Sequence, residues 1–295
     1  MNSNMQITIP ALIPLLLMVG MMSMFNLHCG KQEPPASELL ARNKVLIDRA
    51  NELFPSPYDN FGPARSYEHT DGVVLPFRLF EPKRKNGDVY PLVVFLHGSG
   101  GTGNDNLQQF TDLIVPPTVW AFPENQVKYP CYVLVPQGPD RPSWPHARIP
   151  ALKALLDNII AENPIDPDRI YITGLSMGGM GTWGIIQEHP DFFAAAVPIC
   201  AGGNMNKLNG IIKNHLPIWA FHGVLDPVVD IDAFSDRWQP EDAFTGQRTL
   251  VQELIKQGME PAPKYTWYPD VEHNAWDGAY SDPLLFDWIF SQSKK

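Results

Sequence analysis

Gly174-Leu175-Ser176-Met177-Gly178-Gly179-Met180-Gly181 follows the apolar run Ile170–Thr173 and leads into a helical stretch, Gly179–Glu188. A serine set between glycines two positions to either side, with a strand before it and a helix after, describes a sharp strand-to-helix turn. The turn is so tight that side chains flanking the serine must be small, and it lifts the hydroxyl to the helix N-terminus. Gly174 and Gly178 meet that demand, and Gly179 lets the helix approach the sheet closely. Ser176 is therefore the candidate nucleophile.

A serine hydroxyl is a poor nucleophile without a base in hydrogen-bond reach and a third group to fix the base's tautomer. In the chain order serine, acid, histidine, the acid follows a later strand and the histidine follows the last one. The apolar segment Ile218–His222 runs into Gly223-Val224-Leu225-Asp226, and the short H-G-x-x-D spacing places Asp226 directly beyond that strand. Asp230 and Asp232 are its nearest rivals. The final strand candidate, Tyr265–Tyr268, leads to His273-Asn274-Ala275-Trp276, which makes His273 the candidate base. The other seven histidines fit less well: His28 lies in the leader, His69 in an early strand, His146 in a Pro-rich loop, and His189 and His215 near helix ends. His97 and His222 precede glycines at strand ends, where a structural role is the simpler reading.

Around these residues the chain alternates short apolar runs with amphipathic stretches, the pattern of an α/β fold. Strands are expected near residues 66–69, 73–80, 92–97, 132–136, 170–173, 195–199, 218–222 and 265–268. Helices are expected near 38–53, 107–114, 150–162, 179–188, 242–257 and 283–291. The first two strands read as an antiparallel edge on an otherwise parallel sheet of about eight strands. Near-continuous apolar runs such as Leu92–Leu96 require helices on both faces. Ligands in such sheets collect at the carboxyl ends of the strands, where all three candidate residues fall.

The run Leu92–Leu96 ends in His97-Gly98-Ser99-Gly100-Gly101-Thr102-Gly103, so a G-x-G-x-x-G pattern is present. A dinucleotide site would need an acidic residue at the end of the next strand, and Val135-Pro136-Gln137 supplies none; nor does a Lys-Ser/Thr pair follow, as a phosphate-binding loop requires. The better reading is a pair of backbone donors for a developing oxyanion, the amide of Ser99 from this loop and that of Met177 after the nucleophile. Trp144, in Pro-Ser-Trp-Pro-His, and Trp276 are the candidates for a substrate-groove rim; Trp183, seven residues past the serine, reads as core. No inter-strand insertion is long enough for a large lid. No metal-ligand constellation is visible, and no cofactor is expected.

The chain has 295 residues, 44% hydrophobic and 18% charged, a globular composition that excludes a disordered or multi-span membrane protein. Lys and Arg number 22 against 32 Asp and Glu, and the resulting net charge of −10 makes nucleic acid a poor partner. Residues 1–30 carry no Asp, Glu, Lys or Arg, and Ile7–Leu27 is almost wholly apolar, which reads as a signal peptide or membrane anchor, although no positive charge precedes it. A Pro-rich linker, residues 31–37, follows, and 38–295 is expected to be one catalytic domain. Cys29 closes the apolar run before Gly-Lys-Gln-Glu-Pro-Pro, which resembles the start of a mature bacterial lipoprotein, with Asn26 and His28 standing where such sequences carry Leu and a small residue. This implies export to the periplasm or cell surface and a tether through Cys29. Cys131 and Cys200 fall at opposite ends of their strands, too far apart for a disulfide.

With these residues placed, the sequence resembles α/β-hydrolases of the carbohydrate-esterase-1 type, whose relatives include feruloyl and acetylxylan esterases and polyhydroxybutyrate depolymerases. The resemblance runs from about Tyr67 to Gln292. It rests on LHGSGGTGNDN from Leu96, DRIYITGLSMGGMGTW from Asp168, FHGVLDPVV from Phe221 and the His273–Trp276 segment. It implies an α/β-hydrolase fold and a serine carboxylesterase with Ser176, Asp226 and His273 as the triad and Ser99 and Met177 as amide donors. Acylated polysaccharide, polyester and smaller esters remain open as substrates, as does a serine peptidase activity of the prolyl-oligopeptidase kind. From a different class, a non-catalytic envelope lipoprotein using the fold as a binding surface is weighed against the intact triad. Oligomeric state is open.

Overall fold

The structure, a computed structural model, describes residues 33–56, 58–141, 144, 148–232 and 243–294. The expected leader and Cys29 lie outside the described residues. Residues 34–295 form one compact unit.

The strands are β1 (Arg65–Glu68), β2 (Val74–Phe80), β3 (Tyr90–Leu96), β4 (Tyr132–Pro136), β5 (Ile165–Leu175), β6 (Ala195–Ile199), β7 (Gly202–Asn204), β8 (Trp219–Gly223), β9 (Phe244–Gly246) and β10 (Lys264–Tyr268). Eight of them make one sheet in the order β1-β2-β4-β3-β5-β6-β8-β10. The pairs β1–β2 and β2–β4 are antiparallel, and the strands from β4 to β10 run parallel. Two short strands, β7 and β9, pair antiparallel beside this sheet. The longer helices are α1 (Ala36–Leu53), α2 (Ile149–Glu162), α3 (Met177–Glu188), α4 (Gln247–Lys256), α5 (Trp276–Ser281) and α6 (Pro283–Phe290). Among the described residues no helix is long and apolar enough to cross a membrane.

All seven residues of β3 are buried, and their alternation feeds two cores. Leu92, Val94 and Leu96 pack with Leu152 and Leu155 of α2, Ile185 of α3 and Leu250 of α4. Val93 and Phe95 pack on the other face with Leu39 of α1, Tyr280 of α5 and Leu285 and Ile289 of α6. Burial on both sides is what made these strands continuous apolar runs, and it fixes their carboxyl ends at one edge of the sheet.

The eight sheet strands fall where the sequence pattern put them, within a few residues. The β7–β9 pair was not anticipated, since Gly-Gly-Asn and Phe-Thr-Gly carry almost no strand signal. The helix expected over 107–114 is broken into Gln108–Thr111 and Val115–Thr118, the second starting where Pro116 and Pro117 enter. Over 242–257 the described part begins as β9 and turns helical only at Gln247. Cys131 and Cys200 are both free and buried.

Candidate active site

Ser176 stands between β5 and α3 with φ 53° and ψ −120°, a strained conformation for a residue with a side chain. Its amide donates to the Ile199 carbonyl at 2.9 Å, which ties the turn to β6. The glycines explain how the chain tolerates it. A Cβ on Gly178 would lie 2.0 Å from the Leu96 carbonyl oxygen, and one on Gly174 would lie 2.4 Å from that of Gly178. Backbone therefore fills the space on both sides of the serine, and only glycine fits.

The three candidates drawn from distant parts of the sequence meet. His273 Nε2 lies 2.9 Å from Ser176 Oγ, and His273 Nδ1 lies 2.7 Å from Asp226 Oδ2. An ionised carboxylate only accepts, so the proton sits on Nδ1 and Nε2 offers its lone pair to the serine hydroxyl. The Asp226 side chain is fully enclosed while 20% of the His273 side chain reaches solvent. Burial alone would raise the Asp226 pKa. Hydrogen bonds from His222, His273 and the Val229 amide outweigh it and hold the carboxyl well below the usual range. The rival acids are engaged elsewhere: Asp230 Oδ1 accepts from the Asp232 amide, and Asp232 pairs with Arg248.

The glycine loop passes beside the nucleophile. A Cβ on Gly98 would come within 3.7 Å of Ser176 Cβ, and Ser99 opens a short helical turn, Ser99–Gly101. Met177 is the first residue of α3, where main-chain N–H groups are free of helical partners. His97 anchors the loop from below: its Nδ1 donates to the Gly98 carbonyl at 2.6 Å and its Nε2 accepts from the Gly138 amide at 2.9 Å.

The two tryptophans separate. Trp276 is half-buried, its ring edge-on to His273 at 5.3 Å between centroids. It borders a cleft of about 360 Å³ with Ile47 of α1, Phe110, Asp112 and Ile114. Trp144 does not sit on a rim: it is fully buried, its indole N–H donating to the His97 carbonyl at 3.1 Å. The reason is Gly181, where a Cβ would come within 2.3 Å of Trp144 Cβ, so the missing side chain on α3 makes room for the tryptophan. Trp183 is buried as expected.

Three neighbours were not anticipated. Cys200 donates through Sγ to the His273 carbonyl, and burial pushes its thiol up, with Asp226 adding to the effect. Its sulfur lies with the Asp226 and His273 ligand atoms within 4.8 Å, a spacing a metal could bridge. Asp226 Oδ2 and His273 Nδ1 are already committed to each other, the sulfur donates to a backbone carbonyl, and a thiol held protonated is a poor ligand. His222 contacts Asp226, a proximity latent in the four-residue spacing of H-G-x-x-D. Asp277 accepts from Asn43 of α1 at 2.7 Å and from Asn274 at 2.9 Å, linking α1 to the His273 loop.

Comparison with known proteins agrees with this fold. The prolyl oligopeptidase family matches residues 142–231. The crystal structure of a thermostable esterase superposes with a TM-score of 0.67 at 38% identity, covering 80% of this chain and 64% of that one. This chain is an α/β-hydrolase, esterase-like in sequence and fold. The putative esterase NocK of Nocardia uniformis subsp. tsuyamanensis is 25% identical over 212 residues, 68% of this chain and 60% of that protein. A poly(3-hydroxyalkanoate) depolymerase C of Paucimonas lemoignei is 44% identical over 52 residues, 18% of this chain and 13% of that protein. This α/β-hydrolase thus spans less than two thirds of each of these relatives.

Proposed function

We propose that the chain is a serine hydrolase that cleaves carboxylic esters through an acyl-enzyme on Ser176. The observation that carries the reading is the continuous hydrogen-bonded line from Ser176 Oγ through His273 to the enclosed carboxylate of Asp226. His273 takes the hydroxyl proton as Ser176 attacks the carbonyl carbon, and Asp226 balances the resulting imidazolium. The oxyanion is received by the amides of Ser99 and Met177, and His273 passes its proton to the departing alcohol. Water then attacks the acyl group with His273 again as base, restoring the serine.

The cleft beside Trp276 would receive the substrate. Esterases and a depolymerase among the relatives support an acylated polysaccharide or polyester over a compact metabolite. Export and attachment through Cys29 belong to the same proposal; lipid labelling should be lost in Cys29→Ser. The family match over 142–231 favours a second reading, a peptidase, in which His273 must protonate an amine leaving group.

A fluorophosphonate probe should label the wild type and not Ser176→Ala, and an unlabelled, folded wild type would remove the proposal. A panel of p-nitrophenyl esters of rising chain length, methyl ferulate and a peptide anilide separates the readings: anilide cleavage above ester cleavage would favour the peptidase.

A further inference from the structure

Asp226 is held from two sides. Its Oδ1 accepts from the amides of Val228 at 2.8 Å and Val229 at 2.9 Å, so the turn after β8 orients that oxygen. Its Oδ2 faces two imidazoles, His273 Nδ1 at 2.7 Å and His222 Nε2 at 3.2 Å. His222 lies at the end of β8, fully buried, and its Nε2 also lies 3.0 Å from the Val229 carbonyl oxygen. A carbonyl can only accept, so Nε2 must carry the proton, which is then shared between the Val229 oxygen and Asp226 Oδ2. Nδ1 of His222 is buried with no partner among the described residues. A proton there would be a buried donor without an acceptor, so the geometry suits the tautomer with its single proton on Nε2.

We propose that His222 is a positioning residue: its Nε2–H clips the 223–229 turn shut and fixes Asp226 Oδ2 on the line along which His273 Nδ1–H must point. The inference rests on Asp226 and His273 acting as proposed above. Two backbone donors hold one oxygen of the carboxylate, but rotation about the Cβ–Cγ bond is limited only if the second oxygen is also held. Without His222, Oδ2 keeps the His273 contact alone, and the imidazole inherits whatever freedom the carboxylate gains. His222 is not among the residues lining the cleft, and its Nε2 is engaged by Asp226 and Val229, so its loss should fall on turnover and not on substrate affinity. The groups facing Asp226 are His222, His273 and, more distantly, the thiol of Cys200.

The test compares the full-length wild type with His222→Leu, His222→Gln and His222→Asn on p-nitrophenyl acetate. Gln can place an amide N–H near the position of Nε2, whereas Asn is too short to reach Oδ2. His222→Leu is expected to lower kcat by about tenfold to a hundredfold, the scale of a hydrogen bond to a charged group, with KM within about twofold. Gln should recover most of kcat and Asn should not. Fluorophosphonate labelling of Ser176 should slow in step with kcat. Wild-type kcat in Leu, or equal losses in Gln and Asn, would overturn the proposal. If Leu does not fold, the Gln–Asn comparison decides. Failure of the wild type to label with the probe would instead refute the hydrolase reading itself.

Discussion

Two glycines on the same helix should respond oppositely to alanine. At Gly178 the new Cβ would sit 2.0 Å from the Leu96 carbonyl oxygen and 2.7 Å from that of His97, against a closest tolerable approach of 3.0 Å. Both obstacles are backbone of β3 and the loop after it, so nothing can rotate away, and the start of α3 must retreat by ~1 Å. That displacement carries the Met177 amide away from the glycine loop and moves Ser176 relative to His273. Overpacking of this kind costs about 1–3 kcal/mol, and a ~1 Å misplacement of reacting groups lowers turnover by about a hundredfold. At Gly184, six residues further on, the Cβ would meet only the Ile149 side chain, Cδ1 at 3.4 Å and Cγ1 at 3.8 Å, ordinary contact. There the gain in helix propensity, roughly 0.5–1 kcal/mol, should appear as a melting temperature higher by about 1–2 °C. Thermal melts alongside ester hydrolysis read both effects. Gly178→Ala with kcat within threefold of wild type would refute the claim that backbone contact at the turn sets the geometry.

A second expectation concerns acid. Burial lowers the His97 pKa to about 4, and its two nitrogens already serve as one donor and one acceptor, so a second proton would face the Gly138 N–H. Between about pH 6.5 and 4 the unfolded chain binds a proton here that the folded chain refuses, so stability falls as pH drops through that window. The loss amounts to about 3 kcal/mol at its full extent. Urea melts at pH 7, 5 and 4 should show it, and His97→Gln, which cannot titrate, should flatten that part of the slope. Third, Asn43→Ala should cost about 1–3 kcal/mol by leaving the buried Asp277 carboxylate short of a donor, and should lower kcat/KM because Asp277 also holds Asn274 beside His273. Asn43→Asp should be worse at pH 7, through repulsion between carboxylates. A melting temperature unchanged in both variants would show that the link carries no load.

How much the sequence disclosed depended on how local the governing constraint was. The turn at Ser176 was legible because its geometry must be met within five residues, and glycine is the only way to meet it. The pairing of Asp226 and His273 needed the strand order, which the alternation of apolar runs supplied. Trp144 misled because it follows β4 at the end of the sheet where a groove rim would lie, while the space that buries it is made by an absent side chain at Gly181. His222 and Cys200 were hidden because each stands at the carboxyl end of a strand in the ordinary way. Only the side-by-side packing of β6, β8 and β10 brings His222 against the Asp226 carboxylate and Cys200 against the His273 carbonyl.

The bond from Asn43 to Asp277 has a practical side. Helix α1 precedes every strand of the sheet and looks dispensable from its place in the chain, yet it supplies one wall of the cleft and a donor to the segment carrying the imidazole. Cleavage by a protease between Asn43 and Leu53 would leave Ser176, Asp226 and His273 intact while removing the Asn43 donor behind them, so the shortened form should turn over poorly.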